Sequence, residues 1–295
     1  MTSHAPIPRA DQQGPSALRV GFVGLGHLGT PMAQQIISAG WQCSVWARKP
    51  DAVDSFRKGF GRVAESLTDL GRDADLLSCC LFDADDTWDV LFAPGGAARS
   101  MPAGATIAIH STIAPHEARA LANDAHRLGL DLVDAPVSGG PDRAAMADLV
   151  TMVGADTGAW TRYVPVFEAF SSLVVHVGPV GAGQLTKLLN NAMLVAHLGI
   201  ADDAFELAAQ LGLDRSALAR VLLQASGRSR GAELVVAADS GTGVTPTQAR
   251  ALGKDVRLLT QVVHDGVGYR GATAPTNGLL ITTAQRTLDR MQSPP

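Results

Sequence analysis

The chain alternates between short apolar runs and amphipathic segments in its first part and shows helical patterns alone in its second part. Strands are predicted at residues 18–23, 41–46, 75–81, 106–110, 130–134, 149–153 and 172–177, with helices such as 30–39 and 115–128 between them. After Gly178 the strand pattern stops, and helices are predicted at 184–210, 214–224, 247–264 and from Thr276 onward. Alternating strands and helices indicate a parallel sheet covered by helices. We therefore expect an α/β Rossmann-type doubly wound sheet over residues 18–180, an all-α C-terminal domain over 181–295, and a flexible tail over 1–17.

The predicted helix at 184–210 is the longest element of the chain. It contains no proline and a single glycine, Gly199, and at the usual rise per residue it spans about 40 Å. Residues 192–201 are apolar on almost every side, with His197 as the exception. Such a helix is normally buried, and one small helical domain can hardly cover all of it. We therefore expect part of this helix to be buried between the subunits of a homodimer or homotetramer.

Composition excludes several classes of function. Hydrophobic residues make up 46% of the 295 residues, and the formal net charge of -4 offers no electrostatic attraction for nucleic acid. Cys43, Cys79 and Cys80 lack the spacing of a metal site and fit buried thiols in a reducing compartment. Residues 1–16 contain no apolar signal-peptide core, and no apolar run reaches the length of a membrane span. We expect a cytoplasmic protein without a metal and without a nucleic-acid or membrane partner.

A glycine-rich hexapeptide lies between the first predicted strand and the first predicted helix. Its residues are Gly24, Leu25, Gly26, His27, Leu28 and Gly29. Strand, G-x-G-x-x-G and helix form the context of the dinucleotide-binding fingerprint. The first glycine permits the tight turn, the second lets a pyrophosphate approach the backbone, and the third lets the helix pack on the strand. The helix N-terminus then offers N–H groups to the phosphates.

The end of the second predicted strand indicates which nicotinamide dinucleotide is bound. NAD enzymes place an acidic residue there to bind the ribose 2′-hydroxyl. This chain has Ala47, Arg48 and Lys49 instead, and two cations suit a 2′-phosphate. The pattern favours NADP(H) over NAD(H); the alternative is that both cations are solvated loop charges.

Further candidate cofactor-binding residues lie at the ends of other predicted strands. Leu81 ends one strand and Phe82 follows it, and Ser111 and Thr112 follow the next. Because ligands of parallel sheets bind outside the carboxyl ends of the strands, these residues are expected beside the glycine loop. Ser111 and Thr112 are also typical of a helix N-cap.

A second loop is predicted at residues 135–140. Its Ser138, Gly139 and Gly140 can present a hydroxyl and unshielded N–H groups to an anion. An ordinary turn is the alternative.

Lys187 and Asn191 lie near the start of the predicted long helix, on one face and one turn apart. A lysine in this place is either solvated at the rim of the domain or held in a cleft with a shifted pKa.

In order and spacing these motifs resemble the β-hydroxyacid dehydrogenase family, which includes 3-hydroxyisobutyrate dehydrogenase and tartronate semialdehyde reductase. The similarity covers residues 18–286 and is carried by the hexapeptide, by Asp134-Ala-Pro-Val-Ser-Gly-Gly140, by Gly181-x-Gly183-x-x-x-Lys187-x-x-x-Asn191, and by Lys254-Asp255. The resemblance implies Lys187 as the catalytic acid/base and Asn191 as a hydrogen-bond partner of the substrate. It also implies a substrate carboxylate held by residues 138–140, Thr112 beside the nicotinamide, and Lys254 near the cofactor.

The chain departs from the family pattern at three places. Arg143 and Ala147 stand where relatives usually have a small residue and a glycine, and Pro275-Thr276 stands in place of a proline-leucine pair. Arg143 either adds a cation to the carboxylate pocket or narrows it, so the identity of the substrate is open.

The expected function is the NADP-dependent interconversion of a small 3-hydroxy acid and its semialdehyde or keto acid. A lysine serves as the acid/base when burial and nearby cations, here Arg143 or Lys254, lower its pKa. Two alternatives are an imine reductase and an NADPH-binding module without turnover. Imine reductases typically lack a lysine at position 187, and the combination of Ser138, Lys187 and Asn191 disfavours a module without turnover.

Overall fold

The computed structural model describes residues 18–59, 61–156, 158–264 and 278–292. The predicted N-terminal tail and Pro275-Thr276 lie outside these ranges. The chain divides into two compact units, Met1–Gln184 and Leu185–Pro295, and the boundary falls inside the long helix.

The first unit contains a nine-stranded sheet. Its strands are β1 (Arg19–Val23), β2 (Gln42–Trp46), β3 (Arg62–Val63), β4 (Leu76–Cys79), β5 (Thr106–Ile109), β6 (Asp131–Asp134), β7 (Val137–Ser138), β8 (Leu149–Gly154) and β9 (Ser171–Gly178). The order β3-β2-β1-β4-β5-β6 is parallel throughout. β8 then runs antiparallel to both β6 and β7, and β9 pairs parallel to β8. The sheet is therefore mixed at one edge.

Helices cover both faces of this sheet. They are α1 (Gly29–Ser38), α2 (Asp54–Arg57), α3 (Leu67–Arg72), α4 (Ala84–Phe92), α5 (Pro115–His126), α6 (Gly140–Ala145) and α7 (Val164–Glu168). One core packs α1, α2, α6 and α7 on the sheet, and a second core packs α3, α4 and α5. Successive side chains of β1 point to opposite faces of the sheet and so contribute to both cores: Phe22 belongs to the first and Val23 to the second. The predicted doubly wound α/β class is confirmed.

The second unit is helical in its described residues. It consists of the greater part of α8 (Ala182–Gln210), with α9 (Arg215–Leu222), α10 (Arg230–Ala238), α11 (Pro246–His264) and α12 (Leu279–Gln292). The first half of α8 packs with α11 and α12, and its second half packs with α9 and α10. Gly199 is needed where α12 crosses α8, because a Cβ at this position would collide with the hydroxyl of Thr287. Among the described residues, no helix is both long and apolar enough to span a bilayer.

Several predicted boundaries are wrong. The segment 135–140 is not a loop, because Val137–Ser138 forms β7 and Gly140 begins α6. The predicted loop at 82–86 already contains the start of α4, with Asp83 as its N-cap. Helix α10 has no counterpart in the sequence-based prediction, although Ser229 caps it by accepting a hydrogen bond from the Ala232 N–H.

Candidate functional site

The carboxyl ends of β1, β2, β4 and β5 lie level with one another. Val23 is in register with Trp46 on one side and with Cys79 on the other, and Cys79 is in register with Ile109. The segments that follow these strands therefore leave the sheet at one edge. They contain the predicted site residues Gly24, Ala47, Leu81 and Ser111.

The glycine loop has the backbone that a dinucleotide requires. Gly24 has φ +96°, and a Cβ there would collide with the carbonyl oxygen of Cys80. Gly26 and His27 are exposed, and α1 begins at Gly29. No side chain caps this helix, because its N-cap residue Leu28 makes no side-chain hydrogen bond. The N–H groups at this helix N-terminus can therefore donate hydrogen bonds to the pyrophosphate of a dinucleotide.

Arg48 is exposed but engaged by an acidic residue. Its Nη1 lies 3.3 Å from Oδ1 of Asp86, in the first turn of α4. Lys49 is also exposed, and Ala47 is partly buried. A carboxylate is thus present beside Arg48, contributed by a distant segment rather than by the end of β2. Sequence reasoning missed Asp86 because 37 intervening residues separate it from Arg48.

Ser111 links two of the loops at this edge. Its hydroxyl accepts a hydrogen bond of 2.8 Å from the Leu81 N–H. It does not cap a helix, so the N-cap alternative is wrong. The N-cap of α5 is Ala114, whose N–H donates to Glu117 at 2.7 Å. Phe82, the next residue after Leu81, has an exposed side chain.

Gln184 holds the segment around Thr112. Its Oε1 accepts from the Ile113 N–H at 3.0 Å, and its Nε2 donates to the Ser111 carbonyl at 2.9 Å. The side chain is fully buried. Thr112, partly buried, is therefore bracketed by two anchored residues. Sequence reasoning assigned no role to Gln184, although a polar residue beside Gly183 at a helix start was the available signal.

Asp134 anchors the N-terminus of α8. Its two carboxylate oxygens accept hydrogen bonds of 2.7 Å from the N–H groups of Gly181 and Gln184. The side chain is fully buried at the end of β6. Burial raises the pKa of Asp134 to about 6, while the two N–H donors act in the opposite direction. Asp134 thus satisfies two of the N–H groups that the start of a helix leaves without intrahelical partners.

The predicted carboxylate-binding residues lie where β7 passes into α6. Ser138 is partly buried and pairs with Val150 of β8. Gly139 has φ +141° and Gly140 has φ +78°, conformations that other residues rarely adopt. The glycines are therefore required by the backbone, and Gly139 is exposed.

Arg143 and Ala147, two of the positions at which the chain departs from the family pattern, lie close to this turn in the sequence. Arg143 of α6 donates from its Nε to Asp148 at 2.8 Å, so its charge is already paired with a residue just beyond this helix. Ala147 has φ +54°, a left-handed conformation in which a non-glycine residue is strained. The glycine usual in relatives suits this backbone better than alanine does.

Within the second unit, Lys187, Asn191 and Lys254 lie around Asp255. Asn191 Nδ2 donates to Asp255 Oδ2 at 2.6 Å, and Lys254 Nζ lies 4.0 Å from Oδ1. Burial lowers the pKa of Lys187 to about 8, and the Asp255 carboxylate opposes this shift. Within this unit the charge that acts on the Lys187 pKa is therefore the Asp255 anion, and Lys254 is not among its causes. An effect of Arg143, which belongs to the first unit, stays a prediction. An amine with this pKa can exchange a proton near neutral pH. No cluster of metal-ligating side chains occurs in the described parts of the chain.

Two family models match the chain. The NAD binding domain of 6-phosphogluconate dehydrogenase matches residues 19–178. The NAD-binding domain of NADP-dependent 3-hydroxyisobutyrate dehydrogenase matches residues 181–290.

Individual proteins are similar over most of their length. An uncharacterized oxidoreductase of Mycobacterium tuberculosis is 35% identical over 80% of this chain and 76% of its own. The NAD-dependent L-serine dehydrogenase of Pseudomonas aeruginosa is 34% identical over 71% of this chain and 70% of its own. The solved structure of M. tuberculosis 3-hydroxyisobutyrate dehydrogenase with L-serine superposes with a TM-score of 0.78 at 27% identity, covering 93% of both chains.

Proposed function

The chain belongs to the β-hydroxyacid dehydrogenase family, and from this premise we propose that it interconverts a small 3-hydroxy acid and its semialdehyde or keto acid, with NADP(H) preferred as the cofactor. As in its relatives, the chemistry is oxidoreduction at a hydroxyl group with a nicotinamide dinucleotide. The observation that carries the proposal is the Lys187 amine, which has a pKa of about 8 and lies on one helix face with Asn191.

The proposed reaction divides between the cofactor and the protein. The dinucleotide, held by the glycine loop, supplies the hydride chemistry. In the direction of oxidation, neutral Lys187 takes the hydroxyl proton as the carbonyl forms; in reduction, the ammonium returns a proton to the oxygen. Asn191 donates a hydrogen bond to the same substrate oxygen.

We expect the substrate to require a carboxylate, because Ser138, Gly139 and Gly140 offer a hydroxyl and an accessible backbone. Ser138→Ala should raise KM more than it lowers kcat, since the contact exists before and during the reaction.

Consumption of NADPH with succinic semialdehyde, glyoxylate and a cyclic imine tests the proposed oxidoreductase function, and the matching aldehyde without a carboxylate is the control. Turnover of the imine alone would favour the imine reductase alternative, and cofactor binding without turnover of any acid would favour the binding module.

Cofactor preference should depend on the Arg48–Asp86 pair. Losing a charge-assisted bond to a 2′-phosphate costs about 1.5–3 kcal/mol, so Arg48→Asp should equalise or reverse a preference for NADPH. Asp86→Asn should tighten NADPH binding and leave NADH binding nearly unchanged, because the carboxylate no longer competes for Arg48. The measurement is the ratio of kcat/KM for the two cofactors, with Arg57→Asp as an exposed control. Equal use of NADPH and NADH by the unmodified protein would contradict the role of Arg48.

An exposed apolar stripe on α8 supports a homodimer or homotetramer. Leu189, Met193, Ile200 and Leu207 are 42%, 50%, 56% and 55% exposed. At about 100° per residue they lie within about 40° of one another around the helix axis, and Lys187 and Asn191 lie on the opposite side. Such a stripe on a soluble protein is typical of an interface. Light scattering at micromolar concentration should give a multiple of 30.6 kDa. The double substitution of Met193 and Ile200 by glutamate should lower the measured mass, whereas Asp202→Ser should leave it unchanged.

A further inference from the structure

Gln184 is a buried amide to which the proposed reaction gives no direct role. It is the third residue of α8, and its side chain is fully buried. Burying an amide is costly unless its polar atoms are hydrogen-bonded. Here Oε1 accepts from the Ile113 N–H at 3.0 Å, and Nε2 donates to the Ser111 carbonyl at 2.9 Å. A flipped amide would place donor against donor and acceptor against acceptor, so these two partners fix its orientation.

The two bonds of this amide restrain the backbone of Thr112. The Ser111 carbonyl belongs to the peptide group before Thr112, and the Ile113 N–H belongs to the peptide group after it. The φ and ψ angles of a residue are the rotations that relate these two planar groups. Because one rigid amide binds both groups, it restrains both angles. The threonine side chain is itself stiff at χ1, since its Cβ is branched.

Further contacts connect the Thr112 segment to the glycine loop. The Ser111 hydroxyl accepts from the Leu81 N–H at 2.8 Å. The residue before Leu81 is Cys80, whose carbonyl oxygen packs so closely on Gly24 that a Cβ there would collide with it. All of these residues belong to the first unit. The position of Thr112 is therefore set relative to the loop that is expected to hold the dinucleotide.

We propose that Gln184 is a positioning residue for hydride transfer, which holds Thr112 beside the nicotinamide through the two peptide groups that flank it. The proposal rests on the proposed dehydrogenase function and on the expected place of Thr112. Gln184 acts through Thr112 and does not itself touch the cofactor. The glycine loop supplies the affinity for the dinucleotide, so the effect of Gln184 falls on the orientation of the nicotinamide ring. A misplacement of reacting atoms by about 1 Å costs about 10²-fold in rate.

The NMR spectrum of bound NADP+ tests this role without relying on turnover. Gln184→Met has a similar shape and loses both hydrogen bonds. It should change the chemical shifts of the nicotinamide protons and leave those of the adenine protons as in the unmodified protein. Its kcat should fall by about 10–100-fold, with a much smaller change in the dissociation constant for NADPH. Ser100→Ala is the control, because it removes a hydroxyl that donates to the carbonyl groups of Thr68 and Ala97. It should lower stability and leave the shifts and kcat unchanged.

Gln184→Glu provides a reversible form of the same test. A protonated carboxyl group can accept from the Ile113 N–H and donate to the Ser111 carbonyl, as the amide does, whereas a carboxylate can only accept. Burial and the neighbouring Asp134, which accepts from the N–H of residue 184 at 2.7 Å, should raise the pKa of this carboxyl group above its usual range. The ratio of the variant's rate to that of the unmodified protein should therefore approach one at about pH 5 and fall as the pH rises to about 8. The titration of Lys187 is common to both proteins and cancels in this ratio.

The two variants separate the possible outcomes. Unchanged nicotinamide shifts in a folded Gln184→Met protein would overturn the proposal, and so would an equal change in the adenine shifts. If Gln184→Met does not fold, the ratio measured with Gln184→Glu decides, and a ratio independent of pH would overturn the proposal. Altered nicotinamide shifts in Gln184→Met, with no turnover of any hydroxy acid by the unmodified protein, would contradict the proposed function alone.

Discussion

Replacing Lys187 with arginine is expected to lower turnover by about 10²–10⁴-fold, the usual contribution of a placed acid or base. The substitution keeps the positive charge, but a guanidinium cannot lose its proton at neutral pH. NADPH binding should persist, because the glycine loop lies in the first unit. Steady-state rates, with cofactor affinity measured separately by fluorescence, check this expectation. Lys58→Arg, an exchange of an exposed lysine, is the matched control. A solvated rim lysine would instead give near-normal rates in Lys187→Arg.

The pH dependence of the two directions should be opposite. With a pKa of about 8 for Lys187, about one tenth of the amine is neutral at pH 7 and about nine tenths at pH 9. Oxidation needs the neutral amine, so its rate should rise about tenfold over this interval. Reduction needs the ammonium and should fall above the same midpoint. Parallel profiles in both directions would show that another group transfers the proton.

Replacing Asp134 with alanine should destabilise the first unit by about 2–6 kcal/mol, because each of two buried N–H donors left without an acceptor costs about 1–3 kcal/mol. The reason is that the N–H groups of Gly181 and Gln184 would be buried without their acceptor. Asp134→Asn, which can accept only one of the two bonds, should cost about 1–3 kcal/mol. At about 2–4 °C per kcal/mol for a unit of this size, thermal unfolding should show both losses.

The same turn offers a control for Asp134. Asp156 Oδ1 accepts from the Val180 N–H at 3.1 Å, but its side chain is exposed. Water can replace that bond, so Asp156→Asn should change stability by less than about 1 kcal/mol. If Asp134→Ala unfolded no earlier than Asp156→Asn, the anchoring of α8 by Asp134 would be incorrect.

The glycine loop shows what a sequence pattern predicts well. Strand, glycines and helix are consecutive, and the turn at Gly24 is decided by steric contacts over a short stretch of chain. The predicted strands and helices of the first unit therefore exist within a few residues of their expected bounds. One error arose where the backbone is decided by a neighbouring strand: Val137–Ser138 becomes β7 only because β8 lies beside it.

The common face of Lys187 and Asn191 was predictable from their spacing, because both belong to one helix. Their electrostatic environment was not predictable, since Asp255 lies 64 residues beyond Asn191 and no local pattern joins them.

By itself, the sequence determined the α/β and all-α division, the glycine loop and the face of α8 that carries Lys187. Each depends on periodicity or on steric contacts between near neighbours in the chain. Only the tertiary structure decided that Asp134 anchors α8, that Asp86 engages Arg48, and that the Asp255 anion opposes the lowering of the Lys187 pKa. Those effects depend on desolvation and on charges brought together from distant segments, and neither quantity is defined until the chain has folded.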